Sequence, residues 1–160
     1  MTATEPIKSV RLMLTPLDVA DAADMVAVLS DRDIYAFTGG EPPALDQLRE
    51  LYLRLSAGSP REDETWHNWI ARRDRRAIGY VQATVIGGAA DLAWVVGTQW
   101  QGLGYGTEAS KAMRDWLADR GVARFSAHIH PDHAASKAVA AKLGLRPTDQ
   151  IDDGGEVIWA

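Results

Sequence analysis

Three glycines at alternate positions, Gly102, Gly104 and Gly106, stand immediately before a run of helical periodicity, and this is where the sequence first suggests chemistry. The first amides of a helix have no intrahelical acceptor, and with the positive end of the helix dipole they form a site suited to a phosphate group. Glycine serves such a site because a Cβ would keep the ligand from the backbone. The pattern alone equally fits a plain turn. It is not a dinucleotide fingerprint, because Thr107 occupies the place of the third glycine, and no Gly-Lys-Ser/Thr is present to make a P-loop.

A cradle of this kind needs a strand before it and a helix after it. Ala109, Ala112, Met113, Trp116 and Leu117 repeat at i, i+3, i+4, i+7 and i+8, which predicts an amphipathic helix over Gly104 to Arg120. Ala90 to Val96 reads as the strand before it. It closes an antiparallel meander of Trp66 to Ala71, Ala77 to Ile86 and Ala90 to Val96, with turns near Arg73-Asp74 and Gly87-Gly88. Upstream, Val10 to Thr15 alternates like a half-buried strand, and Asp18 sits where a helix N-cap belongs. Two helices follow, with stripes at Ala22, Met25, Val26, Leu29 and at Leu48, Leu51, Tyr52, Leu55. Asp33 to Pro43, between them, has no clear period and reads as a loop or broken helix fit to line a pocket. Downstream come a strand (Arg124 to Ile129), a helix (about Asp132 to Leu143, stopped at Gly144) and a hairpin around Asp153-Gly154-Gly155.

At 160 residues, 46% hydrophobic and 24% charged, the chain is expected to form one α/β domain over residues 1–160. With no cysteine, a disulfide framework, a thiolate zinc site and a thioester on the protein itself are excluded. No metal site is expected. A net charge of −5 argues against nucleic acid as the main partner, since phosphate backbones require a concentrated basic face. The cluster Arg72, Arg73, Arg75, Arg76 reads as a solvated hairpin turn, and Glu62-Asp63-Glu64 as solvated surface. With no leader-like segment and no apolar stretch of about 20 residues, the expectation is a cytoplasmic protein without a membrane partner.

Gln101, Gly104 and Gly106 match the Gln/Arg-x-x-Gly-x-Gly/Ala pattern of the GNAT acetyltransferases, and the chain resembles that family over nearly its whole length. Arg11-Leu12-Met13-Leu14-Thr15-Pro16, Ile78-Gly79-Tyr80, Trp94-Val95-Val96-Gly97, Gly106-Thr107-Glu108-Ala109 and Lys142-Leu143-Gly144-Leu145 are similar to its RimJ/RimL-like branch. The resemblance implies the GNAT fold: a mixed, mostly antiparallel sheet of about six or seven strands flanked by about four helices. That sheet splays between its fourth strand (Ala90 to Val96) and its fifth (Arg124 to Ile129). It further implies that acetyl-CoA is the acetyl donor. The backbone of Trp94, Val95 and Val96 would pair with the pantetheine arm, and Gln101, Gly102, Leu103, Gly104, Tyr105, Gly106 and Thr107 would hold the pyrophosphate.

The family's second cofactor segment, Asn-x-Ala-Ser, appears here as His133-Ala134-Ala135-Ser136, with histidine for asparagine. His133 is expected either to reach the pantetheine arm or to cap the helix, and Ser136 either to lie near the sulfur or to contact only the helix N-terminus. Position 140, which carries a tyrosine acid in many relatives, is Ala140. At the place of the family's strand-five glutamate base stands His128, whose unperturbed pKa near 6.5 suits a base at neutral pH, although a hydrogen-bonded sheet residue with no catalytic part explains it as well. His130, His67 and Asp91 are reserves. Tyr35, Phe37 and Trp66 or Trp69 are expected to line the acceptor pocket, although packing in the core explains such aromatics equally simply. The resemblance implies direct attack of an amine, either a peptide amino terminus or a small amine. A non-catalytic acyl-CoA sensor is the alternative. A homodimer is expected through an unpaired hairpin ending in Val157-Ile158-Trp159.

Overall fold

The computed structural model describes residues 2–160. In chain order it contains β1 (Ile7–Lys8), β2 (Met13–Pro16), α1 (Ala22–Val28), α2 (Leu45–Ala57), β3 (Glu64–Arg73), β4 (Arg76–Ile86), β5 (Ala89–Val96), α3 (Tyr105–Ala118), β6 (Arg124–Ile129), α4 (Ala134–Lys142), β7 (Pro147–Ile151) and β8 (Val157–Trp159). The strands form one sheet in the order β1-β2-β3-β4-β5-β6-β8-β7. All neighbours are antiparallel except β5 and β6. The mixed α/β architecture with four α-helices is the one expected. The strand count is eight because Ile7–Lys8 adds a two-residue strand that no periodicity marks, so the expected fourth and fifth strands become β5 and β6.

Each sheet face has its own hydrophobic cluster. On one, Leu14, Trp69, Val81, Leu92, Met113, Leu117, Ile129 and Ala140 join α3 and α4 to the sheet; on the other, Met25, Leu29, Leu48, Tyr52 and Ile70 join α1 and α2 to it. Burying each large apolar side chain completely contributes about 2 kcal/mol. Asp18 caps a short 3-10 turn, Val19–Asp21, and forms a reciprocal capping box with Asp21. Asp21 also meets Arg72 of β3 at 2.6 Å, which ties the start of α1 to the sheet.

Three expectations are corrected. Val10 is not in a strand and is almost fully exposed, because Ser9 to Leu12 turns back on itself through the Ser9 N–H to Leu12 carbonyl bond. Leu51 lies outside the buried stripe of α2, which is carried by Leu48 and Tyr52. The carboxy-terminal hairpin is not left unpaired: β8 is held by β6 on one side and β7 on the other, so the free edge at this end of the sheet belongs to β7.

The feature that positions the site is a fork. β5 and β6 pair only at Ala89–Arg124, Ala90–Phe125 and Asp91–Ser126; beyond that row β6 is bonded only on its other edge, to β8, through Ala127, His128 and Ile129. From Leu92 onward one edge of β5 is therefore unpaired, while its other edge stays bonded to β4 as far as Gly79–Val96. Gly79 has to be glycine, since a Cβ there would collide with the Val95 carbonyl oxygen.

Candidate active site

A strand's main-chain polar groups alternate between its two edges. The Val95 carbonyl lies against Gly79 of β4, which leaves the groups of Trp94 and Val96 for the open edge. The Val96 carbonyl is already taken by the Gln101 side-chain amide, at 2.9 Å. Of the three residues expected to offer backbone to the cofactor, Val95 thus turns the other way, and Val96 keeps its N–H.

The open edge runs into the glycine-rich turn through a short 3-10 turn, Thr98–Trp100. Gly102 and Gly104 adopt positive φ of 76° and 84°, and Gly104 is the N-cap residue of α3 with no side chain over the helix end. Glu108 N–H donates to the Gly104 carbonyl and closes the first turn. The amides of Tyr105, Gly106 and Thr107 therefore have no helical acceptor. A Cβ on Gly102 would meet nothing within 4 Å, whereas one on Gly106 would touch Val96 of β5 and Val139 of α4 at 3.5 and 3.7 Å. The turn is an open cup of main-chain donors floored by those two valines. The Leu103 side chain is exposed and that of Tyr105 buried.

Across the fork, His133 is the N-cap residue of α4, but its side chain makes no capping bond. Its ring stacks instead on Phe37, with centroids 4.5 Å apart, and Nε2 lies 3.4 Å from Ser136 Oγ. Burial, with His130 adding to it, holds the His133 pKa below its ordinary value, so the ring is neutral at pH 7. Phe37 also touches the His130 ring. The loop from Arg32 to Gly40 thereby reaches over to the start of α4. Tyr35 anchors it by donating its hydroxyl to the Leu29 carbonyl, and burial raises its pKa.

His128 sits beside the closed end of the fork. Its Nδ1 is 2.7 Å from Asp152 Oδ2 and its Nε2 3.5 Å from Asp91 Oδ2, while Ser126 donates its hydroxyl to Asp91 Oδ1. The Asp152 hydrogen bond raises the imidazole pKa above its usual value, with Asp91 and Glu156 adding to the shift against burial. Burial raises the Asp91 carboxyl, although His128 and Ser126 oppose it. Asp152 is itself fixed, because its Oδ1 accepts from the Gly154 and Glu156 amides. Sequence reasoning missed this partner of His128; the only signal was an aspartate at the mouth of a glycine-rich hairpin.

Trp66 pairs with Thr84, Thr84 with Asp91 and Asp91 with Ser126, so the four form one row across the sheet face that α1 and α2 only partly cover. Trp66 itself donates to Glu64 Oε1 and lines a cleft of about 190 Å³ with Thr4, Leu17, Leu55 and Asn68. The structure thus brings Phe37 to His133 and aligns Trp66 with Asp91, but it does not join the two groups of aromatics. Trp69 and His67 lie in the core on the opposite face. Ala140 is fully buried. Among the described residues, no group of three or more His, Asp or Glu is placed to hold a metal ion, and no helix is long and apolar enough to cross a membrane.

Residues 11–146 match the family model described as an acetyltransferase (GNAT) domain. No curated protein matches the chain significantly. Among solved structures, the chain is similar to a GNAT-family acetyltransferase from Bacillus anthracis, with a TM-score of 0.80 and 16% identity, covering 97% of this chain and 95% of that one. It is also similar to RimL, the ribosomal L7/L12 alpha-N-protein acetyltransferase, in complex with coenzyme A (TM-score 0.78, 15% identity, 97% and 96% covered). A third is the microcin C7 self-immunity acetyltransferase MccE with acetyl-CoA and AMP (TM-score 0.76, 16% identity, 94% and 91% covered).

Proposed function

The chain belongs to the GNAT acetyltransferase domain family, and from that premise we propose that it transfers the acetyl group of acetyl-CoA to a primary amine by direct attack in a ternary complex. The observation that carries the reading is the continuity of the unpaired edge of β5 with the cup of free amides at Gly102 to Thr107. An extended chain of amides ending in a pyrophosphate fits that surface end to end. Acetyl-CoA, when bound there, supplies an activated acyl carbon and a thiolate leaving group. Gly102 to Thr107 hold the phosphates, Trp94 and Val96 the pantetheine amides, and His133 with Ser136 the opposite wall of the fork.

The acceptor amine must arrive neutral, or lose its proton to the protein, before it can attack. His128 is the base in this reading. Asp152 holds Nδ1–H and leaves Nε2 directed toward Asp91 and the open face, where it accepts the proton. Ser136 Oγ serves as a hydrogen-bond donor to the departing sulfur. The carboxylates of Asp91, Asp152 and Glu156 around His128 favour a cationic acceptor. Peptide or protein amino termini and small amines both satisfy that chemistry. RimL, by its name, acts on a protein amino terminus, which puts that class first.

The decisive experiment measures thiol release from acetyl-CoA against a panel of peptides with free amino termini and of small amines. Amine-dependent release names the acceptor class. Tight acetyl-CoA binding without release across the panel would replace the enzyme with an acyl-CoA sensor.

A further inference from the structure

Arg11 and Glu108 are 97 residues apart in sequence and meet directly behind the glycine-rich turn. Arg11 Nε lies 2.7 Å from Glu108 Oε1, and the two side chains are only 36% and 17% exposed. The second carboxylate oxygen, Oε2, accepts from the Arg11 main-chain N–H at 2.7 Å and from the Ser9 hydroxyl at 2.5 Å. The guanidinium then continues past the carboxylate. Its Nη1 donates to the Leu103 carbonyl at 2.9 Å, and its plane covers the Tyr105 ring at 4.3 Å. A Cβ on Gly104 would lie 3.2 Å from Nη2. One arginine therefore touches the turn at Leu103, beside Gly104 and at Tyr105, and is bonded to the helix that follows.

The consequence follows from peptide geometry. In a trans peptide the C=O and the next N–H point in opposite directions. Fixing the Leu103 carbonyl on Arg11 turns the Gly104 N–H to the other side of the turn, away from Arg11 and toward the cup. The neighbouring arm of the turn shows the same device: Gln101 holds the Val96 carbonyl, and the Gly97 N–H points the opposite way, to Ile78. Burial would raise the Glu108 carboxyl, but the hydrogen bonds from Ser9 and Arg11 outweigh it and hold the pKa below the ordinary value, so the pair stays charged at neutral pH. This clamp also explains why Ser9 to Leu12 leaves the strand and exposes Val10: the turn is what brings the Arg11 side chain and main-chain N–H onto one carboxylate.

We propose that Arg11, held by Glu108, is a positioning residue that preorganises the glycine-rich turn for a pyrophosphate and so sets the affinity for the acyl donor. The proposal rests on the acetyl-CoA reading given above. Arg11 works from behind the turn and contacts main chain, so its loss leaves the reacting groups in place and removes the order of the donors. Lysine restores the charge opposite Glu108 but lacks the planar fork that reaches the Leu103 carbonyl and covers Tyr105.

The experiment compares the wild type with Arg11→Gln, Arg11→Lys and Glu108→Gln in two measurements. Amide hydrogen exchange in the ligand-free protein should show lost protection at position 108, whose N–H closes the turn on the Gly104 carbonyl, in all three variants, with the rest of α3 protected as before. Calorimetry with coenzyme A should show affinity falling about tenfold in Arg11→Gln, with lysine recovering only part of it. In turnover assays KM for acetyl-CoA should rise while kcat at saturating donor stays within about twofold. Folded variants with wild-type exchange at the turn and wild-type affinity would overturn the clamp. So would loss of kcat and KM in step with melting temperature, which marks general destabilisation. If Arg11→Gln does not fold, Glu108→Gln and Arg11→Lys carry the comparison. A wild type that fails to bind coenzyme A overturns the acetyltransferase reading instead, and the exchange result alone then decides whether Arg11 orders the turn.

Discussion

The two halves of the candidate site are built from different materials. On the donor side, between Trp94 and Thr107, the groups proposed to hold acetyl-CoA are main-chain amides, and side chains bond the carbonyls beside them: Gln101 that of Val96, Arg11 that of Leu103. On the side proposed to handle the proton the groups are side chains, brought together from β5, β6 and the β7–β8 hairpin as Asp91, Ser126, His128 and Asp152. Main-chain donors depend on local conformation, so a short sequence pattern can specify them. A side-chain cluster depends on which strands lie next to each other, and no local pattern carries that. A short local pattern can therefore carry the donor half, while the proton-handling half exists only in the assembled sheet.

The largest expected effect comes from breaking the donor side. Gly104 combines a φ of 84° with a would-be Cβ only 3.2 Å from Arg11 Nη2. Gly104→Val thus strains the backbone, displaces the clamp and obstructs the cup at once. Coenzyme A affinity should fall by about a hundredfold or more, as calorimetry would read, the equivalent of about 3 kcal/mol. The circular dichroism spectrum should be retained, because the site is a helix terminus and not the core. Unchanged affinity would remove the turn from the donor site.

Breaking the proton side should affect turnover and spare binding. His128→Gln should lower kcat by about a hundredfold, the usual scale for removing a general base, while coenzyme A binds as before. The contrast with Gly104→Val is the test of the division of labour. Equal turnover in the variant would return His128 to a purely structural place beside its two carboxylates.

The same division explains what could be read in advance. The α3 stripe, the meander and the glycine turn were legible because each is a local period or a local spacing. The fork was expected only through the family resemblance; in the structure β6 pairs with β5 only through Arg124 to Ser126, and with β8 on its other edge through Ala127 to Ile129. The short strand Ile7–Lys8 and the turn at Val10 were not legible. Val10 to Thr15 carries an apolar alternation, and what overrides it is a charge pair with a residue on α3. His133 illustrates a subtler limit. Its place before a helix suggested a cap, but its ring makes an aromatic stack with Phe37, from a loop without any period to announce it. Asp152 was hidden because its relation to His128 exists only once β6 and β8 are paired.

Asp152→Asn is the finest cut through the proton side, because the substitution alters charge and proton placement while preserving shape. Asparagine keeps the Oδ1 that accepts from the Gly154 and Glu156 amides, so the hairpin persists. What changes is the partner of His128 Nδ1: a carboxylate that accepts a hydrogen bond becomes an amide that donates one. The carboxylates facing the imidazole are Asp91 from β5 and Asp152 and Glu156 from the hairpin, and all three raise its pKa. Removing the Asp152 carboxylate should move the acidic limb of the pH–kcat profile to lower pH, since a base whose pKa falls is deprotonated earlier. At neutral pH kcat should nevertheless drop by about tenfold, less than for loss of the base itself, because the amide favours the tautomer with its proton on Nε2. The stability effect has the opposite pH logic. His128 has a raised folded pKa, so its contribution is complete below its unfolded pKa and disappears as pH rises through the folded value; Asp152 has a depressed pKa, so its contribution disappears as pH falls through that value. Between those limits the wild type should melt above Asp152→Asn, and the gap should close at alkaline pH. A pH–kcat profile with an unmoved acidic limb would separate His128 from proton transfer even if His128→Gln is slow.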